Sequence, residues 1–255
     1  MRRILFVFGQ VRIGDTFHLV PFFNALKRDS EITWVHSSYE REPVQLLKEF
    51  SDLSIKETIE IKTSEIPSDL RSISRFNQMV STKYNLAEFG NFDDVIIERK
   101  VLSVHKPVPW IEPTDWNLRL HLEPVKGEYL VVHASTISRW KQIPALFFFT
   151  HDLPIVWVGW PGEPIGFCRD CDIDLRGKPL VEVARYVLGA KCVVGVHSSI
   201  NVLAFYLSKP QVVCHFRPDL FKFSSYKETS VDLLTPDLTE VEEAVEGLLC
   251  QTLSR

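Results

Sequence analysis

Apolar-rich runs recur along this chain, most of them followed by a polar turn and then a stretch with helical spacing. ILFVF at 4–8, ITWVH at 32–36, YLVVHAS at 129–135, PIVWVG at 154–159, KCVVGV at 191–196 and PQVVCHF at 210–216 are the clearest. A strand with one face in water alternates polar and apolar residues; the first run does not, so it reads as a strand buried on both faces, and the others read as further strands of the same kind of sheet. That requires a parallel sheet covered by helices on each side.

The intervening segments supply the helices. After the first run, Phe17, Val20, Phe23 and Leu26 recur near a spacing of three, and Lys27 and Arg28 follow where cations suit the negative end of a helix dipole. Pro21 sits awkwardly among them: either the turn kinks there or the regular helix begins at the proline. A short helix is expected over 43–50, a second over 142–149, and PLVEVARYVLGA reads as a third, opened by proline and closed by Gly189. A further helix follows the 191–196 run, with Ser198 or Ser199 as its cap, and a closing helix carries Val241, Val245, Leu248 and Leu249, with Thr239 and Glu242 at capping-box spacing. Between 60 and 122 the pattern blurs into a polar helix-like stretch and a proline-bearing segment, which reads as a crossing between domains.

The strand and helix alternation thus runs twice. A length of 255 residues suits two domains, 1–122 and 123–255. The expected fold is α/β, two doubly wound Rossmann-like domains facing across a cleft, with ligands beyond the carboxyl ends of the strands. A net charge of −4 gives no global positive field, so there is no strong nucleic-acid signature. No apolar run is long enough to cross a bilayer, and the five scattered cysteines suit reduced thiols and a cytoplasmic setting.

Polar residues follow the strands in four places. GQVRIGD at 9–15 has glycines that let a loop approach a ligand and ends in Asp15, which is either a ligand-facing acid or a helix cap. Its spacing is not the GxGxxG dinucleotide pattern. HASTISRWKQIP carries Ser135, Thr136, Arg139 and Lys141, the hydroxyls and cations a phosphate needs, or an exposed polar loop. GVHSSIN brings His197, Ser198 and Ser199 to a helix N-terminus, where a diphosphate fits and plain capping is the alternative. VGWPGEP holds Trp160 and Glu163; the tryptophan is expected to be a buried turn residue, with stacking on a base as the other reading. CRDC, Cys168 to Cys171, is half a zinc site with no second half, so no metal is expected. Walker, GxSxG and HExxH motifs are lacking.

Together these stretches resemble glycosyltransferase family 9, the heptosyltransferase-like enzymes of GT-B fold. IGDTFHLVPFFNALKR is similar to the family's opening, IGD with a proline six residues after the acid and then LK or LR, and this includes Pro21. HASTISRWKQIP resembles its serine- and lysine-containing loop, with Lys141 matching the phosphate-binding lysine across one extra residue. The stretch from Asp174 to Val213 resembles its carboxyl-terminal block, in which a strand ends in GNDTGPMHLA and a helix runs to GKPVV. There the family has an aspartate, a glycine and a histidine, and this chain has His197, Ser199 and Val202. Residues 37–122 have no match.

The resemblance implies an inverting, metal-independent sugar transfer from a nucleotide-diphosphate-sugar, possibly an ADP-sugar, to a hydroxyl on a glycan, a lipid-linked saccharide or another acceptor. Asp15 would be the general base. Lys141 and Arg139 would meet the leaving diphosphate, with Ser135, Thr136, Ser198 and Ser199 completing the cradle and Glu163 and His197 as further donor contacts. The donor is a substrate, and no cofactor is implied. Competing readings are an epimerase, a transferase acting on a nucleic-acid base or a protein, and a silent sugar-nucleotide or partner-binding protein.

Overall fold

The computed structural model describes residues 1–8, 16–26, 30–62, 80, 89–97, 115–134, 143–163, 165, 168–220 and 222–253. The chain divides into two compact units, Met1–His121 and Leu122–Arg255.

In the first unit β1 (Arg2–Val7), β2 (Ser30–Ser37), β3 (Ile55–Ile61) and β4 (Asp94–Ile97) form a parallel sheet in the order β3-β2-β1-β4. The run Ile4–Phe8 is buried throughout, as its lack of alternation requires. One face sets Leu5 and Val7 against Val35, Ile61 and Val80. On the other, Phe6 meets Phe22, Phe23 and Trp34 with ring centroids 5.1 to 6.0 Å apart, and the Trp34 indole N–H donates to Phe8 O at 3.0 Å. Phe22 and Phe23 come from α1 (Val20–Leu26), in which Pro21 is the second residue. That position needs no intrahelical N–H, so the proline opens the helix instead of kinking it. α2 (Arg41–Phe50) starts two residues before Pro43 and buries Pro43, Val44, Leu46 and Leu47.

In the second unit all six strands are again parallel: β5 (Leu130–His133), β6 (Ile155–Trp157), β7 (Ile173–Asp174), β8 (Cys192–Val196), β9 (Gln211–His215) and β10 (Ser230–Leu234), in the order β10-β9-β8-β5-β6-β7. Helices α3 (Leu180–Gly189), α4 (Ser199–Tyr206) and α5 (Leu238–Leu253) follow the expected places. The expected helix over 142–149 is instead a short 3-10 turn, Pro144–Phe148, held by Leu146 N–H to Ile143 O at 3.0 Å and buried only at Leu146. One buried residue gives a full helix too little to pack. The cap of α5 also differs. Asp237 and Glu240 exchange backbone-to-carboxylate bonds at 2.9 Å, two residues ahead of the Thr239–Glu242 pair.

CRDC is a structural turn. Arg169 donates to His151 O at 2.5 Å, to Leu153 O at 2.8 Å and to Asp172 at 2.9 Å, while Cys168 and Cys171 are exposed thiols. Among the described residues no group of three or more His, Cys, Asp and Glu side chains is placed to hold a metal, and no helix is long and apolar enough to cross a membrane.

Candidate functional site

In a doubly wound sheet the chain reverses its direction of travel beside the first strand, and the loops on either side part there and leave a crevice. In the second unit that point lies between β5 and β8, whose carboxyl ends are His133 and Val196. His133 is 5% exposed. Its Nδ1 is 2.7 Å from Ser198 Oγ, and its Nε2 is 3.7 Å from Glu163 Oε2. Two expected site residues therefore meet on opposite edges of one imidazole.

The Glu163 side is a braced turn. Gly159 leaves β6 at φ +144°, a conformation side chains rarely take, and a Cβ there would collide with the Glu163 carboxylate. Gly177 N–H donates to Gly159 O at 2.8 Å, and Arg176, paired with Asp174 at 2.7 Å, donates to Glu163 O. Trp160, expected to be buried, is 51% exposed. The brace fixes the backbone on either side of it and leaves the indole in solvent.

The Ser198 side is the start of α4. Ser198 occupies the N-cap position with extended backbone, yet its side chain makes no bond to the helix; it turns to His133. Capping, the alternative reading for Ser198, is thus not its role. Ser199 is the first helical residue and half-buried. His197 stands against His215 and Phe223, with centroids at 5.2 and 5.3 Å. Behind it His215 Nε2 is 2.5 Å from Asp232 Oδ1, with both side chains buried, and Asp232 also accepts from Phe223 N–H at 3.2 Å and Ser224 N–H at 2.6 Å. Burial opposes the Asp232 charge, but these bonds outweigh it and hold the carboxyl below its ordinary range.

In the first unit the corresponding reversal lies at the carboxyl end of β1. The buried Glu40 accepts from Thr16 Oγ1 at 3.2 Å, from Ser37 N–H at 3.2 Å and from Ser37 Oγ at 3.1 Å. It thereby ties down the residue directly after Asp15. Asp15 itself lies outside the described residues, as do Ser135, Thr136, Arg139 and Lys141.

His133 and Glu40 received no role from sequence. Each had a signal: His133 is the polar residue closing LVV, and Glu40 stands three residues after Ser37 at capping-box spacing.

Burial pushes the His133 imidazole down to about 4. The unfolded ring, near 6.5, takes a proton more readily, so its burial contributes fully above pH 6.5, and stability falls as pH drops from about 6.5 towards 4. His36 shifts in the same direction through burial. The His133 share is on the order of 3 kcal/mol across that window. Urea unfolding at pH 7 and pH 4.5 is expected to show a smaller pH-induced loss in His133→Asn than in wild type; equal losses would mean the ring is not held neutral.

No family model and no curated protein matches the sequence. Solved structures do match, over nearly the whole chain. A family 9 glycosyl transferase from Veillonella parvula aligns at TM-score 0.70 with 14% identity, over 98% of this chain and 97% of that one. E. coli heptosyltransferase WaaC with ADP-2-deoxy-2-fluoro heptose aligns at 0.64 with 16% identity, over 98% and 99%. E. coli ADP-heptose lps heptosyltransferase II aligns at 0.60 with 13% identity, over 99% of each chain. At these identities the likeness is one of fold: the chain carries, in two parallel α/β sheets, the GT-B fold of the family 9 heptosyltransferase structures.

Proposed function

We propose that the chain is a glycosyltransferase that moves a sugar from a nucleotide-diphosphate-sugar to an acceptor hydroxyl with inversion. The observation that carries this reading is the match over nearly the whole chain to WaaC, a heptosyltransferase solved with an ADP-sugar analogue. The division of labour assigns acceptor chemistry to residues 1–122 and donor binding to residues 123–255. Asp15, ionised, takes the proton of the attacking hydroxyl. Lys141 and Arg139 meet the charge growing on the leaving diphosphate, with Ser135, Thr136, Ser198, Ser199 and the α4 amides as preorganised donors. Glu163 accepts from the ribose hydroxyls, and the exposed Trp160 indole offers a face to the base. No step calls for a metal.

Lys141→Ala tests the cradle. By calorimetry it is expected to weaken nucleoside diphosphate binding by about tenfold or more, the loss of a charge-assisted contact; unchanged affinity would move the diphosphate elsewhere. A second reading, binding without turnover, is favoured by His197 standing where the resembled pattern has an aspartate. Tight binding with no product over a broad donor and acceptor panel would select it.

A further inference from the structure

His133 is flanked by two glycines, Gly195 beside its backbone and Cβ and Gly159 beside its ring. A Cβ on Gly195 would lie 2.8 Å from the His133 carbonyl oxygen and 3.2 Å from its Cβ, and one on Gly159 would lie 3.2 Å from its Cδ2. Nε2 is buried, with no hydrogen-bond partner among the described residues, and points towards Glu163 at 3.7 Å. Nδ1 holds Ser198 Oγ at 2.7 Å, and Ser198 makes no side-chain bond to its own helix. The contact expected to serve the phosphates and the one expected to serve the ribose thus share a single imidazole.

A neutral imidazole has one N–H and one lone pair. With the proton on Nε2, Nδ1 accepts the Ser198 hydroxyl proton, and the serine shows only lone pairs to a phosphate. With the proton on Nδ1, the ring donates to Ser198 Oγ and the hydroxyl proton is released outward. Glu163 biases the choice. A carboxylate near Nε2 draws the proton there, and one engaged by sugar hydroxyls draws it less. The geometry points to His133 as a positioning residue whose tautomer decides whether Ser198 donates to the donor's phosphate, with Glu163 linking that decision to ribose binding. This rests on the donor-binding reading above and adds to it that phosphate and nucleoside recognition depend on each other through one buried ring.

Calorimetry on the full chain, with the tightest-binding of ADP, GDP, UDP and dTDP as probe, tests it. Asparagine can set an amide nitrogen near the Nδ1 position and still donate to Ser198, whereas glutamine reaches the Nε2 position and leaves the serine unsupported. His133→Asn is expected to bind within a few-fold of wild type. His133→Gln and Ser198→Ala are each expected to lose about tenfold, and the double variant to lose no more than either alone. Multiplying losses, or His133→Asn binding as weakly as His133→Gln, would overturn the positioning role while leaving the donor reading intact. Should His133→Gln not fold, Ser198→Ala decides: wild-type affinity in that variant overturns the inference. A wild-type chain that binds none of the four nucleotides overturns the donor reading and this inference with it.

Discussion

Asp15→Asn is expected to lower the rate of sugar transfer by about 10² to 10⁴, the usual worth of a general base, with nucleoside diphosphate affinity nearly unchanged. The amide is close in size to the carboxylate and cannot take a proton, so the variant separates chemistry from binding. Its neighbour Thr16 is buried and bonded to Glu40, which keeps the backbone beside Asp15 in place in the variant. The measurement is nucleoside diphosphate release from the donor with and without acceptor, alongside calorimetry. Wild-type turnover would remove Asp15 from the chemistry, and a matching loss of affinity would make it a binding residue instead.

Asp232→Ala is expected to cost about 3–5 kcal/mol in urea unfolding, because it breaks a buried pair and strands its partners. His215 and the Phe223 and Ser224 amides all lose their acceptor. The exposed Arg217–Asp219 pair is the control, and Asp219→Ala should leave stability unchanged. The sign with pH follows from the lowered carboxyl. Its contribution is in place above the ordinary value of 3.8 and is lost only as pH falls through the lower folded value. A cost for Asp232→Ala no greater than the Asp219 control would show that the pair does not tie the end of β9 to β10.

The central strands were legible because burial on both faces removes alternation: β1, β5, β6 and β8 are apolar over most of their length, and β2 and β9 are apolar-rich runs in which Thr33, His36, Gln211 and His215 are buried as well. The edge strands were not. β3 reads IKETIEI with a mixed burial pattern, β4 is four residues inside the blurred stretch of 60–122, β7 is two exposed residues and β10 carries Asp232 in its middle, so none stands out as a strand buried on both faces. The candidate site is readable in the sequence as loops rather than as contacts. Ser198 and Glu163 stand out as polar residues that follow a strand, but that both turn to His133 depends on the β5–β8 and β5–β6 pairings, which no local window contains. Trp160 reads as buried because tryptophan usually buries, and the brace from Arg176 and Gly177 that leaves it exposed comes from a later turn.

The same sheet sorts the protein's sulfur chemistry. Cys192 and Cys214 lie inside β8 and β9, where burial pushes both thiols up to about 12, while Cys168, Cys171 and Cys250 are exposed. A thiol that stays protonated and out of solvent is inert to peroxide and to disulfide exchange. Thiol oxidation of the folded protein is therefore expected at Cys168, Cys171 and Cys250 and not in the two strands that lead to His197 and His215.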